Sequence, residues 1–118
     1  MGQSAGGMLA SMLGTSIGVD AFEDPALGNP EVSSAVQLSV TFYGPQDFPN
    51  QNVDLEAAGC DPTSGNSIGN VIDCIPISQP RCEDLLVEVS PVSHVDGNNC
   101  FCFFKDNLQK HEFHFFAS

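Results

Sequence analysis

Apolar and polar positions alternate most regularly between Ala35 and Tyr43, where Val36, Leu38, Val40 and Phe42 share one face and Gln37, Ser39 and Thr41 the other. A period of two marks a β-strand with one side buried, and Gly44-Pro45 ends the run. Asn52 to Ala58 alternates as well, setting Val53, Leu55 and Ala57 against Asp54 and Glu56. Val71 to Ser78 is β-branched and apolar, but Pro76 lacks the N–H of a central ladder, so this run belongs at an edge or breaks in two. Asp84 to Val89 fits a helical turn or a strand, and Pro91 with the run Leu86 to Val89 favours the strand. Cys100 to Phe104 is apolar on both faces, as expected of a buried central strand. Glu112 to Ala117 closes the series. With turn residues between the runs and no sustained helical period, the expected fold is all-β: a small antiparallel β-sandwich or barrel of about six strands.

Residues 1–19 stand apart, being small or apolar and without a single charge. Met8, Leu9, Met12 and Leu13 suit one side of a short helix stopped by Gly14, yet the composition reads better as a weakly ordered or processed N-terminal segment. The stretch lacks the positive start of a secretory signal and is too short in apolar residues for a membrane helix. Between Asp20 and Glu31 four carboxylates and two prolines form an extended lead-in. The domain is therefore expected to be one β unit over residues 20–118.

Charge narrows the partners. The chain carries 15 Asp plus Glu against 3 Lys plus Arg, a formal net charge of −12, and nothing formally positive precedes Arg81. Phosphate backbones and anionic headgroups demand Lys and Arg, so nucleic acid and membrane are excluded, and a protein or other extracellular ligand of basic character fits best. A homo-oligomer is compatible with the same surface.

Five cysteines, at 60, 74, 82, 100 and 102, are many for 118 residues, and no spacing is the C-x2-C of structural zinc sites. Disulfides in a secreted, extracellular protein are the expected use, with about two bridges. Spacing alone leaves the connectivity open. The favoured pairs are Cys60 with Cys74, across a loop rich in Gly, Ser and Asn, and then Cys82 with Cys100, leaving Cys102 as the unpaired thiol.

Catalytic and metal patterns fail on context. Gly14-Thr15-Ser16-Ile17-Gly18 and Gly65-Asn66-Ser67-Ile68-Gly69 both match G-x-S-x-G and precede Asp and His in the order of α/β-hydrolases. Neither sits between an expected strand and helix, which is the setting that gives the motif meaning. His94, His111 and His114 with Cys100 and Cys102 offer zinc donors, but His111 and His114 fall on opposite faces of a strand. The Asx residues around Asp61 to Asp73 and Asp96 to Asn99 lack EF-hand spacing and suit turns. No metal, cofactor or catalytic set is expected. One surface is: in an extended C-terminal run, Phe116 shares a face with Glu112 and His114, away from Phe113 and Phe115, and becomes a candidate anchor for a partner.

Low lysine content, few cysteines and a strand near each of them resemble the small secreted β-proteins that fungi use as extracellular or host-directed effectors. That resemblance implies a non-catalytic binding or interaction protein with an effector-like role. Two alternatives stand beside it: a small secreted hydrolase or metal-dependent enzyme, and a structural or self-assembling extracellular component.

Overall fold

The computed structural model describes residues 1–59, 72–74, 80–96, 101–105 and 114–116, the last two runs by their backbone. In chain order the elements are β1 (Gly2–Gln3), α1 (Ala5–Thr15), β2 (Leu38–Phe42), α2 (Gln51–Ala57), α3 (Pro80–Glu88), β3 (Phe101–Lys105) and β4 (His114–Phe116). Short 3-10 turns occupy Asp20–Phe22, Pro25–Leu27 and Pro91–His94. The four strands form one sheet in the order β1-β2-β3-β4. β1 and β2 are parallel, as are β2 and β3, while β4 returns antiparallel to β3.

This mixed α/β architecture replaces the expected all-β sandwich. Parallel neighbours need crossovers of about a dozen residues or more, and α1 with the acidic lead-in forms one, the segment carrying α2 and α3 the other. Three of the runs expected as strands sit in the sheet, as β2, β3 and β4, with β3 central between β2 and β4. Two others are helices. Asn52 to Ala58 overlaps α2, whose half-buried positions are Gln51 and Leu55, four residues apart, while Val53 is exposed. Asp84 to Val89 overlaps α3, where Pro80 takes the first helical position and Cys82 and Leu86, with Val89 just past the helix end, recur at i, i+4 and i+7 on the covered side. Of Val71 to Ser78 only residues 72–74 are described, and they form a turn ending at Cys74.

α1 lies within the uncharged stretch that composition reads as a tail. Its buried residues are Gly7, Met8, Ala10, Ser11, Gly14 and Thr15, a stripe of mostly small side chains that brings the helix close to the sheet. Leu9 and Leu13, expected on the packed side, are 61% and 54% exposed. The reversal extends to β2. Its two faces separate as the alternation predicts, but the face under α1 is the polar one: Ser39 and Thr41 are only 4% and 3% exposed, whereas Leu38 is exposed and Val40 and Phe42 are half-buried.

A polar seam between helix and sheet is tolerable when its hydroxyls are satisfied. Ser11 Oγ donates to Gly7 O at 3.1 Å and Thr15 Oγ1 to Ser11 O at 3.0 Å, each to the carbonyl four residues back. Ser39 Oγ donates across the interface to Ala10 O. Apolar packing adds a second layer at the helix side, where buried Met8 and Phe48 meet Met12, Leu86 and Val89. Ser90 binds the two halves of that layer, accepting from the Phe48 N–H at 3.0 Å and donating to Leu86 O at 2.6 Å.

Among the described residues there is one disulfide, Cys74–Cys82, with both residues fully buried. It joins two of the cysteines expected to be bridged, but to each other. The pairings of Cys60 with Cys74 and of Cys82 with Cys100 are thereby corrected, since each described partner is already taken. The physical reason is local: Cys82 lies in the first turn of α3, which brings it to a Cα–Cα distance of 5.9 Å from Cys74.

Two stability measurements follow from this packing. In urea denaturation Phe48→Ala should cost about 3–5 kcal/mol through transfer and cavity terms, and Leu9→Ala under about 1 kcal/mol. Cys74→Ser, which opens a bridge of sequence separation 8, should lower stability by about 2.5 kcal/mol in the chain-entropy picture.

Candidate active site

The first residues of the chain form a strand, a sharp turn and a helix. β1 is held by β2 in the register Gly2↔Thr41 and Gln3↔Phe42. The ladder continues one residue further, with the Ser4 N–H donating to Phe42 O at 3.0 Å. Ser4 itself stands at φ 53°, ψ −123°, a backbone conformation that L-residues with a side chain seldom adopt. The next residue begins α1, and the Met8 N–H closes the first turn onto Ser4 O at 3.1 Å. Ser4 is exposed at the tip of the turn.

The turn is tight because glycine is on its inside. A Cβ at Gly2 would run into the carbonyl of Gly6 and lie 2.8 Å from Gly7 N, so the strand can enter this closely only without a side chain there. The sequence around the serine is Gly2-Gln3-Ser4-Ala5-Gly6, a third occurrence of G-x-S-x-G. It has the strand before and the helix after that define a nucleophile elbow.

The geometry gives the serine an electrophile-binding environment. The carboxyl ends of β1, β2 and β3, at Gln3, Phe42 and Lys105, lie along one edge of the sheet, where open parallel sheets place their ligands. The amide of Ala5, the first residue of α1, is one of the first-turn N–H groups that have no partner within the helix, and it lies at the positive end of the helix dipole. In an elbow the N–H of the residue after the nucleophile stabilises the oxyanion of acyl transfer.

Of the two pentapeptides noted in the sequence, Gly14 to Gly18 does not have this setting. Ser16 follows the last turn of α1 at ordinary angles, φ −99° and ψ 17°, and its Oγ donates back to Met12 O at 2.6 Å. Gly65 to Gly69 lies outside the described residues, as do Cys60, Cys100 and Glu112. Cys102 is in β3, in register with Ser39 and Phe116. His114 and Phe116 are in β4, at the opposite edge of the sheet from β1, so the proposed anchor surface and Ser4 are separated by two strands.

His94 is the histidine whose side chain is described. Its Nε2 lies 2.6 Å from Glu88 O, and its ring meets Phe22 edge to face at 5.3 Å between centroids. It ties a 3-10 turn to the end of α3. Asp47, in the loop after β2, binds Asn50, accepting from its N–H at 3.3 Å and its Nδ2 at 2.8 Å. Among the described residues no group of three His, Cys, Asp or Glu is close enough to hold a metal ion.

A mixed sheet whose three parallel strands end beside a serine turn is the frame of a hydrolase-like α/β domain. Residues 1–107 match the family model BD-FAE, and the chain belongs to that family. A solved structure described as a bifunctional GH43-CE protein of Bacteroides eggerthii is similar at 28% identity and a TM-score of 0.60, over 87% of this chain and 14% of that one. The chain thus spans a small part of that protein's length. No curated protein matches. Membership in the BD-FAE family, with the likeness to a GH43-CE protein, overturns the expectation of a non-catalytic, effector-like protein.

Proposed function

We propose that this chain carries the nucleophile of a carboxylic ester hydrolase, with Ser4 as nucleophile and the Ala5 N–H as one donor of the oxyanion hole. The observation that supports it most is the backbone of Ser4, at positive φ between β1 and α1. Strain of this kind persists where the surroundings enforce it and clusters at reactive residues. Ser4 Oγ attacks the ester carbonyl carbon as a base takes its proton, and the carbonyl oxygen, now negative, accepts from the Ala5 N–H. The alkoxide leaves with that proton, and water releases the acid from the acyl-serine by the same steps in reverse order.

The acid and base are assigned to the stretch after β3. Asp106 and His111 follow Ser4 in the order Ser, Asp, His of α/β-hydrolases, and β3 ends on the same sheet edge as β1. For the substrate, the family name and the GH43-CE relative support an acyl or hydroxycinnamoyl ester on a carbohydrate. A buried disulfide and five cysteines support a secreted, extracellular setting. The absence of Lys and Arg before Arg81 supports leaving nucleic acid and anionic lipid out of the partners.

Hydrolysis of p-nitrophenyl acetate and methyl ferulate by the full chain tests the reading. Ser4→Ala should reduce kcat by about 10³-fold or more with the circular dichroism spectrum unchanged, while Ser16→Ala should retain wild-type rates. Equal activity in the wild type and Ser4→Ala would overturn it.

A further inference from the structure

Ser4 is fixed from both sides by the same few residues of β2. On the entry side its N–H is bonded to Phe42 O. On the exit side the first turn of α1 rests on the end of that strand with almost nothing between the backbones. A Cβ at Gly7 would lie 2.7 Å from Thr41 Oγ1, 2.9 Å from Phe42 O and 3.1 Å from Gly44 Cα. One at Gly44 would fall against Met8 N, 2.6 Å from Gly7 C and 2.9 Å from Thr41 Oγ1. Thr41 Oγ1 therefore fills the gap between two glycines. It is buried and, among the described residues, has no hydrogen-bond partner. A hydroxyl oxygen without a bond is out of place in a helix–sheet interface, but it is smaller than the methyl that valine would put there.

The chain bends to make this contact. Tyr43, directly after β2, is at φ 41°, in the left-handed region that residues with side chains avoid. The kink turns Gly44 back under α1, and the Tyr43 hydroxyl donates to Gln3 Oε1 at 3.1 Å, tying the bend to the residue before the nucleophile. Two adjoining strands thus each carry a strained non-glycine residue at their carboxyl ends, Ser4 and Tyr43, linked through Gln3.

From this we infer that Gly7, Thr41 and Gly44, all outside the serine pentapeptide, are positioning residues that latch the first turn of α1 onto β2 and so set the Ala5 amide relative to Ser4 Oγ. The inference rests on the reading of Ser4 as nucleophile. Oxyanion donors act over a narrow distance range, and a shift of about 1 Å costs about 10²-fold in rate. The latch makes that distance a property of the α1–β2 contact.

The test follows the rate of covalent labelling by a fluorophosphonate probe, kcat and KM on p-nitrophenyl acetate, and the thermal midpoint, in the full chain. Gly44→Ala should lower labelling and kcat about 10²-fold while KM stays within about twofold. Thr41→Val, which puts a bulkier methyl in place of the unbonded hydroxyl, should slow labelling about tenfold while the midpoint changes little, the crowding being offset by removal of an unsatisfied polar group. Ser90→Ala, which breaks the bond to the Phe48 N–H and none at Gly7, Thr41 or Gly44, should lower the midpoint and leave labelling of the folded fraction unchanged. If Gly44→Ala does not fold, Thr41→Val decides alone. Wild-type labelling rates in Thr41→Val would overturn the latch while leaving Ser4 as nucleophile. A wild-type chain whose Ser4 is not labelled would remove the nucleophile and the latch together.

Discussion

The close approach of α1 to β2 is the constraint on which the rest of the structure depends. Backbone meets backbone at Gly7 and Gly44, and the stripe that follows along the helix, Ser11 and Thr15, stays small enough to keep the axis near the sheet. Any larger residue in this stripe would lift the helix, and with it the turn that carries Ser4. The cost of the arrangement is a polar interface, which is offset by hydroxyls that return to their own helix or cross to it. Large apolar side chains are displaced to the flank, where Met8 and Met12 meet Phe48, Leu86 and Val89.

That flank explains the placement of the remaining elements. Phe48 lies in the loop after β2, and Ser90 lies just beyond α3; the bond between them and the Val92 N–H to Gln46 O bond at 3.3 Å fasten that loop to the end of α3. The Cys74–Cys82 bridge anchors the beginning of the same helix. α3 is thus held at both ends while its Leu86 and Val89 cover α1. The Ser4 turn is thus supported by α1, β2 and α3, while β3 and β4 continue the sheet beyond β2.

Function in this fold depends on conformation more than on residue type. Three G-x-S-x-G pentapeptides occur in one short chain. Ser16 bonds to its own helix and has an ordinary backbone, whereas Ser4 is at positive φ, exposed and followed by a first-turn helix amide. The difference is a strand of only two residues, Gly2–Gln3, too short for any periodicity to reveal. Glycine, small residues and no charge describe a loose tail as well as they describe an elbow and a helix packed on small side chains. A helix whose buried stripe is Gly7, Ser11 and Thr15 has no apolar period to find.

By itself, the sequence determined the local properties: the alternation that makes Leu38–Phe42 a strand, the aromatic runs that became β3 and β4, the acidity, and the presence of bridged cysteines. These follow from neighbours along the chain. Tertiary structure decided which face of β2 is buried, because burial depends on what packs against a face, and here a small-residue helix selects the polar one. It decided that Asn52 to Ala58 and Asp84 to Val89 are helices, since an apolar spacing of four outweighs one of two only once a surface exists to cover it. It decided that Cys74 pairs with Cys82, through the turn of helix that brings them together. And it singled out Ser4, because a positive φ is imposed by the strand and helix on either side and leaves no trace in the identity of the residue that bears it.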